Sequence, residues 1–310
     1  MQPILELIEV SKKYGKNEVV HPISMQLQRG RIYGLIGPNG AGKTTIMKMI
    51  AGLTDNTAGE IRAFGSPMFG KNSVENRNRM SFMVEIPYLD GSMTARQNMQ
   101  YIRYVRGVAD EKRIDEVLDY VGLADTGKKK VQKFSLGMRQ RLGIGMALLS
   151  SPQIMILDEP VNGLDPEGIV DVRNMLRKLC HEREMTILIS SHLLSELSEL
   201  CTDFAIINHG SLVDWLSREE LMEKCKSYIA VKTDNIYETV ACLEHKLGIS
   251  EYKIVSGDEL RLYERLDEVE LVSRTITDAG FTITKLTTEG ESLEEYYLSI
   301  VDISGQGTIR

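Results

Sequence analysis

The residues with chemistry to offer begin at Gly37-Pro38-Asn39-Gly40-Ala41-Gly42-Lys43-Thr44, which has the spacing G-x-x-x-x-G-K-[ST]. Glycines at those places let a loop wrap so that its backbone N–H groups point inward at phosphate oxygens. The N-terminus of a following helix adds partial positive charge at the same spot. All eight residues are therefore assigned to a bound nucleotide. Lys43 is placed to reach the β- and γ-phosphates, Thr44 to give its hydroxyl to Mg²⁺, and Thr45 to touch the α-phosphate region. A second group stands at Asp158 and Glu159, closing the apolar run Ile154-Met155-Ile156-Leu157. Ligands of parallel α/β sheets bind beyond the carboxyl ends of strands. That position suits Asp158 to the Mg²⁺ shell and Glu159 to polarising an attacking water as general base. Alone, the first motif could be a glycine-rich turn and the second an ordinary solvated strand end. Together they point to a site for a nucleoside triphosphate and Mg²⁺, a pair of motifs that many unrelated enzymes share.

These groups need rigid elements behind them. Residues 31–36 read as a compact apolar strand running into the glycine loop, and a helix is expected from 43 to about 53. Residues 5–10 and 19–27 read as strands flanking the turn at Tyr14-Gly15-Lys16-Asn17. Apolar residues at helical spacing dominate 88–149. Buried strands follow at 154–157 and 186–190, with an amphipathic helix over 169–180 between them and a closing hairpin around His209-Gly210. After about 218 the texture changes to the order β-α-β-β-α-β with a last helix, which suggests a small ferredoxin-like unit. The expected fold is α/β: a phosphate-loop NTPase domain over 1–218 with an inserted helical subdomain at about 88–149, then an α+β accessory domain over 219–310.

Composition narrows the setting. The 310 residues are 42% hydrophobic and 26% charged, the balance of a folded globular chain, and the net charge is −7. That charge argues against nucleic acid as a partner, because phosphate neutralisation needs clustered Lys and Arg. The four cysteines show no CxxC pair and no zinc spacing, as expected of reduced thiols in a cytosolic protein. No signal peptide is expected at the N-terminus, and no run of about 18 apolar residues appears, so any membrane role comes through a partner.

A third constellation gives the pair of motifs a family. Phe134-Ser135-Leu136-Gly137-Met138-Arg139-Gln140-Arg141 resembles the signature motif of ATP-binding-cassette (ABC) proteins, and Pro160-Val161-Asn162-Gly163-Leu164-Asp165-Pro166 resembles that family's D-loop. His192, after a strand, stands where the family's switch histidine lies, and Tyr14 resembles its adenine-stacking residue. The resemblance spans about residues 4–218. It implies that Ser135 and Gly137 bind the γ-phosphate of ATP held by an opposite subunit, that Asp165 organises the dimer contact, and that His192 holds the water and Glu159 in place. It also implies a transmembrane permease as partner, a second nucleotide-binding subunit in a homodimer, and a peripheral position on the cytoplasmic face of the membrane. Two departures are visible. Leu136 and Met138 replace the usual glycine and glutamine, and Glu85 stands where the Q-loop glutamine is expected. Both features resemble bacitracin- and lantibiotic-type export ATPases, and a carboxylate at Glu85 would join the Mg²⁺ shell.

Taken without the resemblance, Tyr14 reads as a turn tyrosine, His192 as a structural histidine, and the C-terminal unit as a stabilising or dimerising appendage. Three functions fit the motifs to different degrees: an export ATPase with a separate membrane subunit, a soluble ABC protein of translation or DNA repair, and a small-molecule kinase. The second usually carries two cassettes or a long coiled coil, neither of which is present here. The third leaves Ser135 to Arg141 unexplained.

Overall fold

The computed structural model describes residues 2–70, 73–84, 88–192, 194–257, 259–290 and 293–305. The chain forms two compact units, one of residues up to Arg218 joined by the segment from Ile300 onward, the other Glu219–Ser299.

The first unit opens with a long hairpin, β1 (Leu5–Tyr14) and β2 (Asn17–Leu27), turning at Gly15 in the left-handed region. β3 (Ile32–Ile36) is buried at every position and feeds α1 (Lys43–Ala51). Gly52, left-handed at φ 71°, stops that helix two residues before its expected end. β4 (Ala58–Ala63) and β5 (Ser66–Pro67) complete a four-stranded antiparallel sheet in the order β2-β1-β4-β5. The short helix α2 (Ser73–Asn78) leads to β6 (Met80–Met83).

The helical stretch resolves into α3 (Ala95–Val105), α4 (Lys112–Tyr120) and α5 (Leu136–Leu148). Thr94 starts α3 with a capping box: its hydroxyl takes the Gln97 N–H while the Gln97 side chain takes its own. β7 (Ile154–Leu157), α6 (Pro166–Arg183), β8 (Thr186–Ser191), α7 (Leu194–Ser198), β9 (Asp203–Asn208) and β10 (Ser211–Ser217) follow. α6 begins three residues earlier than its apolar pattern suggests, because Asp165 caps it and Pro166 presets its first turn.

The central sheet runs β10-β9-β3-β8-β7-β6. Five of its strands pair in parallel, and β10 returns antiparallel on β9. β3, β7, β8 and β9 are buried throughout, as parallel strands covered on both faces must be. One apolar core joins this sheet to the antiparallel one through Ile46, Met47 and Ile50 of α1.

The second unit starts within α8 (Arg218–Lys224) and contains β11 (Tyr228–Thr233), α9 (Ile236–Leu247), β12 (Tyr252–Ser256), β13 (Glu259–Leu262), α10 (Val269–Asp278), β14 (Ile283–Glu289) and most of α11 (Leu293–Gly305). Its sheet order is β12-β13-β11-β14, all antiparallel. Ile229, Val231, Leu260 and Leu262 bury one face of it against Val240 and Leu243 of α9 and Val272 and Ile276 of α10.

Candidate functional site

The glycine loop lies at the carboxyl end of β3, and backbone geometry requires its glycines for two separate reasons. A Cβ on Gly37 would stand 2.2 Å from the Ile207 carbonyl oxygen of β9, so the close approach of two neighbouring strands excludes any side chain there. Gly40 faces open space but has φ +83°, and Gly42 has φ +106°; both conformations disfavour L side chains. Lys43 is buried at the start of α1. Its Nζ donates to the carbonyls of Gly37 (2.7 Å) and Pro38 (3.3 Å) and lies 3.5 Å from Glu159 Oε1. Asn39 and Gly40 are exposed, Ala41 is buried, and Thr44 and Thr45 are half-buried.

From Thr44 a chain of hydrogen bonds crosses three strand ends. The Thr44 hydroxyl donates to Asp158 Oδ2 at 2.8 Å, and the Ser190 hydroxyl donates to Asp158 Oδ1 at 2.6 Å. Ser190 Oγ also accepts the Glu159 backbone N–H at 2.8 Å. Glu159 Oε2 is 2.9 Å from His192 Nδ1. β3, β7 and β8 thus bring Lys43, Thr44, Asp158, Glu159 and His192 together, with Ser190 as the bridge. Sequence reasoning missed Ser190; the available signal was a hydroxyl residue ending a buried strand just ahead of His192. Glu159 has φ 48°, a left-handed conformation that costs a non-glycine residue roughly 1 kcal/mol or more. Its N–H bond to Ser190 and its carbonyl, which accepts from Asn162 N at 3.2 Å, hold it there.

The remaining sequence-derived residues lie outside this network. Ser135 is exposed and caps α5, accepting the Met138 N–H at 3.2 Å, with Gly137 in the first turn behind it. Leu136 packs toward the loop of the acidic strand: a Cβ on Gly163 would come within 3.2 Å of Leu136 Cδ2. The leucine found where the family has glycine is thus matched by glycine opposite. Asp165 caps α6 by accepting the Gly168 N–H at 3.1 Å, an intrachain task that the resemblance did not indicate. Tyr14 ends β1 with its ring half exposed and Lys12 Nζ 4.8 Å from the ring centroid. Glu85 lies outside the described residues.

Comparison with known proteins places this geometry. Residues 20–162 match the ABC transporter family. A bacitracin transport ATP-binding protein of Bacillus licheniformis is 37% identical over 309 residues, covering 100% of both chains. A lantibiotic transport ATP-binding protein of Streptococcus pyogenes is 40% identical over 210 residues, 68% of this chain and 89% of that one. The chain belongs to the ABC transporter ATP-binding proteins.

Solved structures agree with the assignment. An ATP-binding subunit of an ABC transporter superposes with a TM-score of 0.63 at 27% identity, covering 71% of this chain and 92% of that one. A component of an ABC transporter complex from Clostridium perfringens gives 0.66 at 22% identity, over 80% of this chain and 97% of the other, which shows the fold. The protein is an ATP-binding, ATP-hydrolysing subunit of an ABC transporter, and subunits of this family dimerise and work with a membrane permease. No helix among the described residues is long and apolar enough to cross a membrane.

In this ABC subunit, Thr44 Oγ1 and the Asp158 carboxylate are the pair of hard oxygens that suits Mg²⁺. No cluster of three or more His, Cys, Asp or Glu side chains among the described residues forms a metal cage. Mg²⁺ does not need one, since it takes one or two protein oxygens and completes its shell with water and substrate phosphates. Across the loop, the buried Lys43 ammonium can exchange its Glu159 contact for a phosphate oxygen. That exchange would release the Glu159 carboxylate to a water.

Proposed function

We propose that this chain drives a peptide-antibiotic exporter, clasping each Mg-ATP between the Lys43 loop of one copy and the Ser135 turn of another. The observation that carries this reading is the division of the phosphate-binding groups within one chain. Lys43, Thr44, Asp158, Glu159 and His192 are linked through Ser190, whereas Ser135 presents an exposed hydroxyl at a helix start outside that network. A second chain completes such a site, so ATP acts as the adhesive and hydrolysis releases it.

In this reading Gly37 to Thr45 hold the phosphates and Tyr14 stacks on the adenine. Thr44, Asp158 and Glu85 hold Mg²⁺, which when bound neutralises phosphate charge. Glu159 accepts the proton of the attacking water. His192, through its contact with Glu159, orients that carboxylate. Ser135 and Gly137 engage the γ-phosphate of the partner's ATP, and Asp165 lies at the dimer contact. The domains divide as 1–218 and 219–310, with the second a ferredoxin-like appendage of stabilising or dimerising role. Full-length similarity to a bacitracin transport ATP-binding protein supports a peptide antibiotic as cargo, a separate transmembrane permease as partner, and a peripheral position of this chain on the cytoplasmic face of the membrane.

Glu159→Gln tests the mechanism. Turnover should fall by roughly 10²–10⁴, ATP should still bind, and light scattering should find a stable dimer with ATP. A monomer hydrolysing at the parent rate would refute the base and the shared site together. Co-purification of the full chain with a multi-span membrane protein, and bacitracin sensitivity on its loss, test the cargo.

A further inference from the structure

The amino ends of the parallel strands carry a second cluster of charge, on the edge of the sheet opposite the nucleotide loop. Arg29 precedes β3, Arg79 precedes β6, Gln153 precedes β7 and Glu184 precedes β8. A five-residue strand such as β3 spans roughly 16 Å, so these residues stand well clear of Lys43. Arg29, Arg113, Arg183, Gln153 and Glu184 line a cavity of about 260 Å³. That space admits a phosphate-sized anion with room for a small substituent.

Arg29, Arg79 and Arg183 are held in place by groups that do not neutralise them. Arg29 Nη1 and Arg79 Nη2 both donate to the Gln153 side-chain carbonyl, at 3.1 and 3.2 Å. A neutral amide oxygen occupies a position where a carboxylate would balance two charges. Arg183 lies against the Tyr120 ring, 5.1 Å from its centroid, and Arg79 stacks 3.6 Å from the Phe64 centroid. Cation–π contact orients a guanidinium but leaves its charge in place.

Among the described residues no carboxylate forms an ion pair with Arg29, Arg79 or Arg183. Arg113 is 15% exposed and pairs with Glu116 at 3.0 Å, while its Nε is buried without a partner. Glu184 is exposed and forms no ion pair with these arginines. Arginine does not titrate away its charge, and its planar fork matches the oxygens of a phosphate. In a chain of net charge −7, three arginines share this cavity with one lining carboxylate, Glu184, so positive charge is in excess there.

We propose that this cavity is a second anion site, taking a phosphate-class anion through Arg29, Arg183 and Arg113 with Gln153 fixing the fork of Arg29. The anion has two sources, free phosphate or a phosphate monoester in solution and the phosphodiester headgroup of an anionic lipid. Arg29 donates its unused N–H groups to the ligand, and Arg183, braced on the Tyr120 ring, lines the same cavity as a second donor.

Calorimetric titration of orthophosphate into the full chain tests this, with a non-hydrolysable ATP analogue and Mg²⁺ saturating the nucleotide loop so that only the second site can respond. Flotation with phosphatidylglycerol or phosphatidylcholine vesicles forms the second arm. The expected result is one further site per chain, or flotation with phosphatidylglycerol vesicles alone. The double variant Arg29→Gln, Arg183→Gln should weaken that binding at least tenfold while its analogue affinity stays at the parent value. Orthophosphate binding assigns the site to a soluble anion, and flotation without it assigns the site to a headgroup. Absence of both, or binding that the double variant leaves unchanged, overturns the proposal. A single substitution, Gln153→Glu, gives an independent reading: an added carboxylate between Arg29 and Arg79 should abolish anion binding without unfolding the chain, and undiminished binding would count against the site.

Discussion

At the scale of single residues, the site depends on one hydroxyl that no motif names. Ser190 is fully buried, donates to Asp158 and accepts from the backbone of Glu159, so it links the carboxylate proposed for the metal to the one proposed as base. Ser190→Ala removes both contacts and leaves the Glu159 N–H without a partner, a loss worth about 1–3 kcal/mol when buried. The expected outcome is turnover reduced by about tenfold or more, a higher Mg²⁺ concentration for half-maximal rate, and recovery in Ser190→Thr. Steady-state phosphate release over a Mg²⁺ series checks it. An unchanged Mg²⁺ requirement would mean that Asp158 is positioned by Thr44 alone. The left-handed Glu159 fits the same picture: strain at one backbone position is held by two hydrogen bonds, placing a carboxylate between Lys43 and His192.

At the scale of elements, the phosphate loop is shaped as much by its neighbours as by its own sequence. Gly37→Ala puts a methyl group 2.2 Å from a backbone oxygen of β9, which cannot move without disturbing the sheet. Gly40→Ala meets nothing within reach and suffers only from its φ of +83°, a penalty of about 1 kcal/mol. Thermal melts and fluorescent-nucleotide titrations should therefore rank Gly37→Ala far more damaging than Gly40→Ala; equal losses would mean that conformation alone governs the loop. The capping box of α3 gives a second estimate. Thr94→Ala should cost about 1 kcal/mol, read as a lower denaturation midpoint with turnover per folded molecule unchanged.

At the scale of the whole molecule, the two units have separate cores, and the single tryptophan, Trp215, sits in β10 of the first, 5.7 Å from the Tyr33 ring. Tryptophan fluorescence follows that unit, and far-ultraviolet dichroism follows both. Urea unfolding should give different midpoints by the two probes, the signature of a chain that is not two-state. A saturating ATP analogue with Mg²⁺ should raise the fluorescence midpoint. Coincident curves with and without nucleotide would show the units unfolding as one.

Most of the candidate nucleotide site was readable from residue types because phosphate chemistry constrains local backbone. A loop that wraps an oxyanion needs glycine at fixed places, and Lys43, Thr44, Asp158 and Glu159 follow from the motifs on either side. The apolar runs of β3, β7 and β8 were legible for a similar reason, since strands covered on both faces must be continuously hydrophobic. β6 was not, because Met80-Ser81-Phe82-Met83 has neither alternation nor flanking turn signals and becomes a strand only by pairing with β7. Ser190 and the arginines around Gln153 were hidden for the same reason as β6. Their partners lie on other strands, and distance along the chain says nothing about which strand ends meet. The β-α-β-β-α-β order after residue 218 could be read from periodicity. The pairing order β12-β13-β11-β14 is set by how two amphipathic helices cover one face, and only the packed structure decides it.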